Sequence, residues 1–270
     1  TSAADGRALC FATWGEPDGR PVFHLHGTPG CRLLGARRIE HGLEELLRST
    51  GVRLITYDRP GWGGSDRHAG RRVVDCAKDV AAIADSLGLE RFAVEGGSSG
   101  APHALAAAAL LPDRVFRVAC VAPMAPYDRL GHQEWSRGQS DGVQQYVAWC
   151  LEGKDRMAYE FSREDAEMRA SASPEDPKQA EVFEQTRHGI WGWVDDEIAA
   201  FQPWGFDPAA VAVPARVWHD PDDPVLPSQH AAWLGQAIPG AEVVVTRALG
   251  HGSKGDPRPD WDRLYSWLGS

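Results

Sequence analysis

The stretch that decides the fold of this chain reads Phe92-Ala93-Val94-Glu95-Gly96-Gly97-Ser98-Ser99-Gly100. Its first three residues are apolar and predict a short buried strand, and the apolar spacing from Pro102 to Leu110 predicts a helix. A Gly/Ser run alone also fits an ordinary loop, but a serine between glycines where a strand meets a helix predicts a nucleophile elbow. Glycine at positions 96 and 100 suits such a sharp turn, which leaves no room for side chains beside the serine. We therefore take Ser98 as the candidate nucleophile.

Outward from this stretch, short apolar runs alternate with helical patterns. That order is typical of an α/β protein whose mostly parallel sheet is covered by helices on both faces. An edge strand is predicted at residues 9–14, and further strands at 22–25, 53–57, 92–94, 115–121, 217–218 and 243–245. Helices are predicted at residues 73–87, 102–110, 228–237 and 260–268, with Ser228 as the N-cap of the third.

Between residues 125 and 206 the alternation stops. This stretch, here called the insertion, is helical in pattern, charged and rich in tryptophan. A structureless loop of that length is uncommon inside a domain, so we predict a helical cap with its own packing. The predicted domains are an α/β core of residues 1–124 and 207–270 and a cap of residues 125–206 inserted in that core.

The net charge limits the kinds of partner that the chain can bind, and the cysteines indicate its cellular compartment. Acidic residues outnumber basic ones 38 to 28, giving a net charge of -10. That charge repels phosphates and anionic lipids, so we expect neither nucleic acid nor a membrane as a partner. The five cysteines are scattered, which favours reduced thiols and a cytoplasmic location over a disulfide framework or a zinc site. The first residues are polar, unlike a signal peptide, and no apolar run is long enough to span a bilayer.

A second loop supplies candidate donors for an oxyanion hole. The run His26-Gly27-Thr28-Pro29-Gly30 follows the strand that ends at Leu25. Its small residues let a substrate carbonyl come close, and a main-chain N–H there can point at a developing oxyanion. We assign the hole to the N–H groups of Thr28 and Ser99, although the run alone also fits a plain Gly/Pro turn.

Together, His26 to Gly30, Tyr57 to Asp66 and the Ser98 elbow resemble the α/β-hydrolase superfamily, from about residue 8 to the end apart from the insertion. The resemblance implies an α/β-hydrolase fold, with a mostly parallel sheet of the eight-stranded type, flanking helices and a helical cap. It also implies that Asp58 to Ser65 is a structural loop, whose glycines and carboxylate suit the hydrogen bonding of turns.

The resemblance further implies a catalytic triad in the chain order Ser, Asp, His. Asp223 matches the acid at the start of an Asp-Pro-Val-x-Pro run, and His251 matches the histidine in a Gly-His-Gly-Ser run. In this arrangement His251 takes the proton of Ser98, while Asp223 fixes the imidazole and stabilises its charged form.

Two positions, Asp220 and Glu95, depart from the family pattern. Asp222 is a competing acid beside Asp223, and Asp220 stands where the family commonly has glycine. The three carboxylates could suggest a cation site, but their spacing does not fit a calcium loop, and we predict no metal. Glu95 replaces an apolar or small residue before the elbow and, if buried, needs a partner or a raised pKa.

These residues predict a serine hydrolase that cleaves a carboxylic ester, a thioester or a lactone through an acyl-enzyme, with no cofactor. One alternative is a proline-type aminopeptidase, which the runs Gly96-Gly97-Ser98 and His-Gly-x-Pro-Gly resemble and whose substrate ammonium the acidic insertion could hold. That branch usually has glycine at position 28 and tryptophan at position 99, unlike this chain. A ligand receptor without turnover and a cofactor-free perhydrolase or oxygenase are further alternatives on the same fold.

The insertion also predicts the kind of substrate. Its tryptophans can form rigid apolar walls, and we name Trp135 and Trp193 as candidate substrate-binding residues. Its acidic side chains disfavour anions, so we expect a small, neutral and moderately hydrophobic substrate. The oligomeric state is not indicated by the sequence.

Overall fold

Strand β4, Phe92–Gly97, is the central strand of a seven-stranded sheet in the computed structural model, which describes residues 1–270. The sheet has the order β1-β3-β2-β4-β5-β6-β7. Strand β1 runs antiparallel to β3, and all other neighbouring pairs are parallel. The remaining strands are β1 Phe11–Gly15, β2 Arg20–Leu25, β3 Val52–Tyr57, β5 Val115–Val121, β6 Ala215–His219 and β7 Glu242–Val245.

The predicted α/β-hydrolase fold is confirmed, with seven strands rather than eight. The residues before β1 form a single antiparallel bridge between Ser2 and Ala8, closed by a turn in which Gly6 has a φ of 86°. One bridge is too short to make a further strand. The edge strand therefore does not extend back into these residues. It begins at Phe11, two residues after the predicted start at residue 9.

The structure has twelve α-helices. Helices α3, α4 and α11 share one apolar core with the first face of the sheet, and α2 and α12 share another with the opposite face. The helices are α1 Ala36–Glu40, α2 Leu43–Ser49, α3 Cys76–Ser86, α4 Ala101–Leu110, α5 Tyr127–Leu130, α6 His132–Trp135, α7 Asp141–Glu152, α8 Lys154–Ala170, α9 Ala180–Glu184, α10 Trp191–Phe201, α11 Ser228–Ala237 and α12 Arg258–Leu268. No helix is both long enough and apolar enough to cross a membrane.

The predicted N-cap of α11 is wrong by one residue. Ser228 is the first helical residue, and Pro227 occupies the N-cap position, where no side chain makes a capping bond. The extended backbone of Pro227 leads directly into the first turn, so a serine cap is not used.

Helices α5 to α10 all lie in the insertion, between β5 and β6. Their own apolar cluster includes Met157, Phe161 and Trp193, and it closes on Trp62 of the core loop after β3. This position brings the insertion above the carboxyl ends of the strands, where the loops after β2, β4, β6 and β7 also converge. Open α/β sheets bind ligands at that edge.

Candidate active site

The turn after β4 holds Ser98 in a strained conformation. Its φ is 55°, a region that residues other than glycine seldom adopt. A Cβ atom at position 96 would lie 2.4 Å from the carbonyl oxygen of Gly100, and one at position 100 would lie 2.1 Å from that of Leu25. Both positions therefore require glycine. The turn is too tight for side chains beside Ser98, as the sequence predicted.

The structure brings Ser98, His251 and Asp223 together from three separate loops. The Nε2 atom of His251 lies 3.0 Å from the Ser98 hydroxyl oxygen. Its Nδ1 atom lies 2.8 Å from Oδ2 and 3.1 Å from Oδ1 of Asp223. These distances form one hydrogen-bonded chain from the carboxylate through the imidazole to the hydroxyl, which is the geometry required of an activated serine.

Asp223 is held by the backbone around it. It accepts hydrogen bonds from the N–H groups of Val225 at 2.9 Å, Leu226 at 3.0 Å and His251 at 2.8 Å. Burial disfavours the charged carboxylate, but the hydrogen bond and charge of His251 and these N–H donors hold its pKa below the usual value. Asp223 is therefore an anion at neutral pH and can stabilise a positive charge on His251.

The three neighbouring carboxylates have different partners. Asp222 is 76% exposed and pairs with Arg247, away from His251. Asp220 is buried and accepts a hydrogen bond from the Ser253 hydroxyl at 2.8 Å. That hydroxyl in turn accepts one from the Gly250 N–H at 3.0 Å, so Asp220 supports the loop that carries the histidine.

Thr28 and Ser99, the predicted oxyanion-hole residues, lie together beside Ser98. Their hydroxyl oxygens are 2.5 Å apart, a contact that the sequence did not predict. The main-chain N–H of Thr28 donates to no acceptor within the protein, so it is free for a ligand. The side-chain contact ties the loop after β2 to the elbow and fixes the distance between the two assigned donors.

A cavity of about 330 Å³ opens beside the Ser98 hydroxyl. Trp135 lines it, although only 2% of the residue is exposed to solvent, and its indole N–H donates to the Ala125 carbonyl at 2.9 Å. Here called the apolar cavity, it has further apolar walls from Met124, Val143, Val147, Phe201, Val225 and Leu226.

Trp193 does not line this cavity, contrary to the interpretation of the sequence. It stacks on Phe161 inside the insertion, with ring centroids 4.6 Å apart, and its indole N–H donates to the Tyr146 hydroxyl at 2.8 Å. Tyr146 is the residue that reaches the cavity. Trp193 therefore supports the wall from behind, because its position on α10 faces the core of the insertion.

Two carboxyl groups in the apolar cavity were missed by sequence reasoning. Glu197 on α10 is 2% exposed, and its Oε2 atom has no hydrogen-bond partner. Burial and the charge of Asp196 raise the pKa of Glu197 to about 7, although Tyr146 and Thr28 act in the opposite direction. Glu164 on α8 is half-buried in the same wall. The sequence indicated only that the insertion is acidic and, for Glu197, that a run of three acids at 195–197 interrupts an otherwise largely apolar helix.

Asp196, next to Glu197, ties the insertion to the core. Its Oδ2 atom accepts hydrogen bonds from Arg59 Nε at 3.0 Å, Arg59 Nη2 at 2.7 Å and the Trp62 indole at 2.6 Å, and its Oδ1 accepts one from Arg71. Burial opposes the charge, but the two arginines hold the pKa of Asp196 far below its usual range. Arg59 also donates to the carbonyl of His26, in the loop that carries Thr28.

Glu95 has the partner that its burial requires. It pairs with Nδ1 of His24, which lies opposite it in the parallel register of β2 and β4. Burial opposes the charged carboxylate, but His24 and Arg38 together hold the pKa of Glu95 below its usual value. The pair is buried directly below the elbow and makes no direct hydrogen bond to Ser98.

Known proteins resemble this chain both in sequence and in structure. A sequence model of the family described as alpha/beta hydrolase fold matches residues 20–255. The chain is 29% identical to a non-heme chloroperoxidase of Streptomyces lividans, over 86% of this chain and 84% of that protein. It is 26% identical to a proline iminopeptidase of Xylella fastidiosa, over 92% of this chain and 88% of that protein.

Among solved structures, the esterase EaEST from Exiguobacterium antarcticum resembles this chain with a TM-score of 0.71 and 23% identity. The match covers 100% of this chain and 98% of that structure. At this level of identity the likeness concerns the fold.

Proposed function

We propose that this chain, which belongs to the alpha/beta hydrolase family, hydrolyses carboxylic esters, or closely related thioesters and lactones, with Ser98 as its nucleophile. The observation that carries the proposal is the hydrogen-bonded chain from Asp223 through His251 to Ser98, which opens onto the apolar cavity. A neutral, moderately hydrophobic acyl group suits the walls of that cavity.

The proposed reaction has two steps. The Ser98 oxygen attacks the substrate carbonyl and passes its proton to Nε2 of His251, while the N–H groups of Thr28 and Ser99 stabilise the oxyanion. The bond to the alcohol breaks as His251 returns the proton to the leaving oxygen, and an acyl-enzyme remains. Water then attacks the acyl-enzyme, His251 takes a proton from the water, and the acid leaves as that proton returns to Ser98.

The test is a panel of p-nitrophenyl esters, a thioester and aminoacyl arylamides, run on the wild type and on Ser98→Ala. We expect ester turnover, and a loss of kcat of roughly 10³-fold or more in Ser98→Ala, because no other group can form the acyl-enzyme. Ser99→Ala is the matched control: it keeps the main-chain N–H and loses one hydroxyl contact, so we expect less than about a tenfold loss. Near wild-type turnover in Ser98→Ala would rule the proposal out.

A second candidate function, a proline-type aminopeptidase, is favoured by Glu197 and Glu164 in the apolar cavity. Two carboxylates beside the nucleophile could hold the ammonium group of an N-terminal residue. The relative from Xylella fastidiosa carries that name. Proline p-nitroanilide tests the candidate: turnover faster than that of any ester, and lost in Glu197→Gln, would favour the peptidase.

Two further experiments distinguish the remaining alternatives: covalent labelling of the nucleophilic serine, and a test of whether turnover requires peroxide or oxygen. A fluorophosphonate probe reacts with an activated serine, so labelling of the wild type but not of Ser98→Ala would argue against a ligand receptor without turnover. Turnover that depends on peroxide or oxygen would indicate a perhydrolase or an oxygenase.

A further inference from the structure

A second cavity, of about 420 Å³, meets the apolar cavity at the nucleophile. The two cavities have only Ser98 and His251 in common. A carbonyl carbon attacked by Ser98 carries an acyl chain and a leaving group that point away from each other. The structure thus offers separate spaces for the two halves of one substrate.

The second cavity, here called the polar cavity, differs from the first in its charged lining. The buried pair of His24 and Glu95 lies in its wall below the elbow. Arg37 and Arg38 of α1 and Glu181 of α9 also line it. Arg37 is engaged by the backbone, since its Nη2 atom donates to the carbonyls of Ala248 at 2.8 Å and Gly255 at 3.2 Å.

Arg38 has no such partner. No carboxylate lies within 4.0 Å of its guanidinium, and it donates no hydrogen bond. Two acids share the cavity with it, Glu95 and Glu181, and the carboxylate of Glu95 is already paired with His24. A Cβ atom at position 35 would lie 2.3 Å from Oε2 of Glu181, so Gly35 is what leaves room for this carboxyl group. Burial raises the pKa of Glu181 to about 7, although Arg38 acts in the opposite direction, so near neutrality it offsets the arginine only in part.

A guanidinium without a carboxylate partner, in a cavity that also reaches Ser98, suits a carboxylate, which it can bind through two parallel hydrogen bonds. The apolar cavity suits that carboxylate less well, because Glu164 and Glu197 line it and no arginine or lysine does. The leaving group also suits the polar cavity better than the acyl chain does, because water must replace it before the acyl-enzyme is hydrolysed. The acyl chain stays on Ser98 during that step and suits apolar walls.

From this arrangement we propose that the polar cavity holds the leaving alcohol of the substrate and that Arg38 binds a carboxylate carried by that alcohol. The inference rests on the proposed ester hydrolysis by Ser98 and names its substrate class: an ester of a hydroxy acid with an apolar acyl group. It departs from the neutral substrate that the acidic insertion predicts, because Arg38 is a cation inside the cavity with no carboxylate paired to it, whereas most acids of the insertion lie outside the cavity.

Two esters that differ in charge alone test the inference: O-butyryl glycolate, which is anionic, and O-butyryl glycolamide, its neutral counterpart. We expect a higher kcat/KM for the glycolate ester in the wild type. In Arg38→Gln the ratio of the two kcat/KM values should fall about tenfold, the effect of losing one charge-assisted contact in a partly exposed site. In Glu181→Gln the ratio should rise, because an opposing carboxylate is removed.

Arg48→Gln is the matched control, since Arg48 lies on the exposed side of α2 and pairs with Glu44. It should leave both kcat/KM values unchanged. Turnover that requires Ser98 but gives the same charge ratio in wild type, Arg38→Gln and Glu181→Gln would overturn the inference and leave the proposed function standing. No Ser98-dependent turnover of either ester, or of the p-nitrophenyl esters, would overturn both.

Discussion

At the scale of single residues, the structure separates two adjacent acids that the sequence left in competition. Asp223 contacts the far nitrogen of His251, whereas Asp222 faces solvent and Arg247. We expect Asp223→Asn to lower kcat by roughly 10³- to 10⁴-fold, because the imidazole loses its orienting anion. Asp222→Asn should change kcat by less than about twofold. Steady-state kinetics on one ester decide the matter, and the opposite ranking would move the acid of the triad to Asp222.

A second residue-scale prediction concerns the pH dependence of stability at Glu197. Its pKa in the folded chain is raised from 4.5 to about 7, so the folded state holds this proton more tightly than the unfolded state does. The stability that this group contributes is complete below about pH 4.5 and is lost as the pH rises through about 7. By pH 8 the loss amounts to roughly 3 kcal/mol.

Glu197→Gln removes that titration. Urea unfolding at pH 5 and pH 8 should show that the free energy of unfolding of the variant, relative to wild type, increases by a few kcal/mol between the two values. Glu44→Gln, at an exposed position of α2, should follow the wild type. A constant difference between Glu197→Gln and wild type would show that folding does not raise the pKa of Glu197.

At the scale of elements, helix α10 is fastened to the core by the buried contacts of Asp196 with Arg59 and Arg71. Asp196→Asn leaves the buried guanidinium of Arg59 without its anion and leaves Arg71 only the more distant carboxylate of Asp195, at 3.6 Å. We expect the free energy of unfolding to fall by roughly 3–5 kcal/mol. Arg67→Gln is the control, because Arg67 is 41% exposed where it pairs with Asp195, and it should cost less than about 1 kcal/mol. Equal losses in urea unfolding would contradict this view of α10.

At the scale of the whole molecule, the insertion covers the edge of the sheet where the four loops meet, and it should govern substrate range more than the reactivity of Ser98. Trp135 lines the apolar cavity and Trp193 supports it from behind. We expect Trp135→Ala to change the ratio of kcat/KM for bulky and short neutral esters more than Trp193→Ala does. Trp193→Ala should instead lower stability by roughly 3–5 kcal/mol, as a large cavity in a core does. Unchanged ester ratios in Trp135→Ala would place selectivity elsewhere.

The sequence by itself determined the α/β fold, the elbow at Ser98 and the chain order of the candidate triad. The fold and the elbow depend on local features, because a strand, a tight turn that needs glycine and a helix are each encoded by neighbouring residues. The chain order of the triad came from the family resemblance, which identified Asp223 and His251. The sequence also indicated the helical insertion, because the helical pattern of this segment and its length can be read directly from the chain.

Only the tertiary structure decided which distant side chains share a space. Glu197, Arg59 and Arg38 lie far apart in the chain, and each is an ordinary charged residue when read alone. The choice of Asp223 over Asp222 and the absence of Trp193 from the cavity wall likewise depend on the direction in which each side chain points. Burial and charge pairing are set by contacts across elements, and local patterns do not encode them.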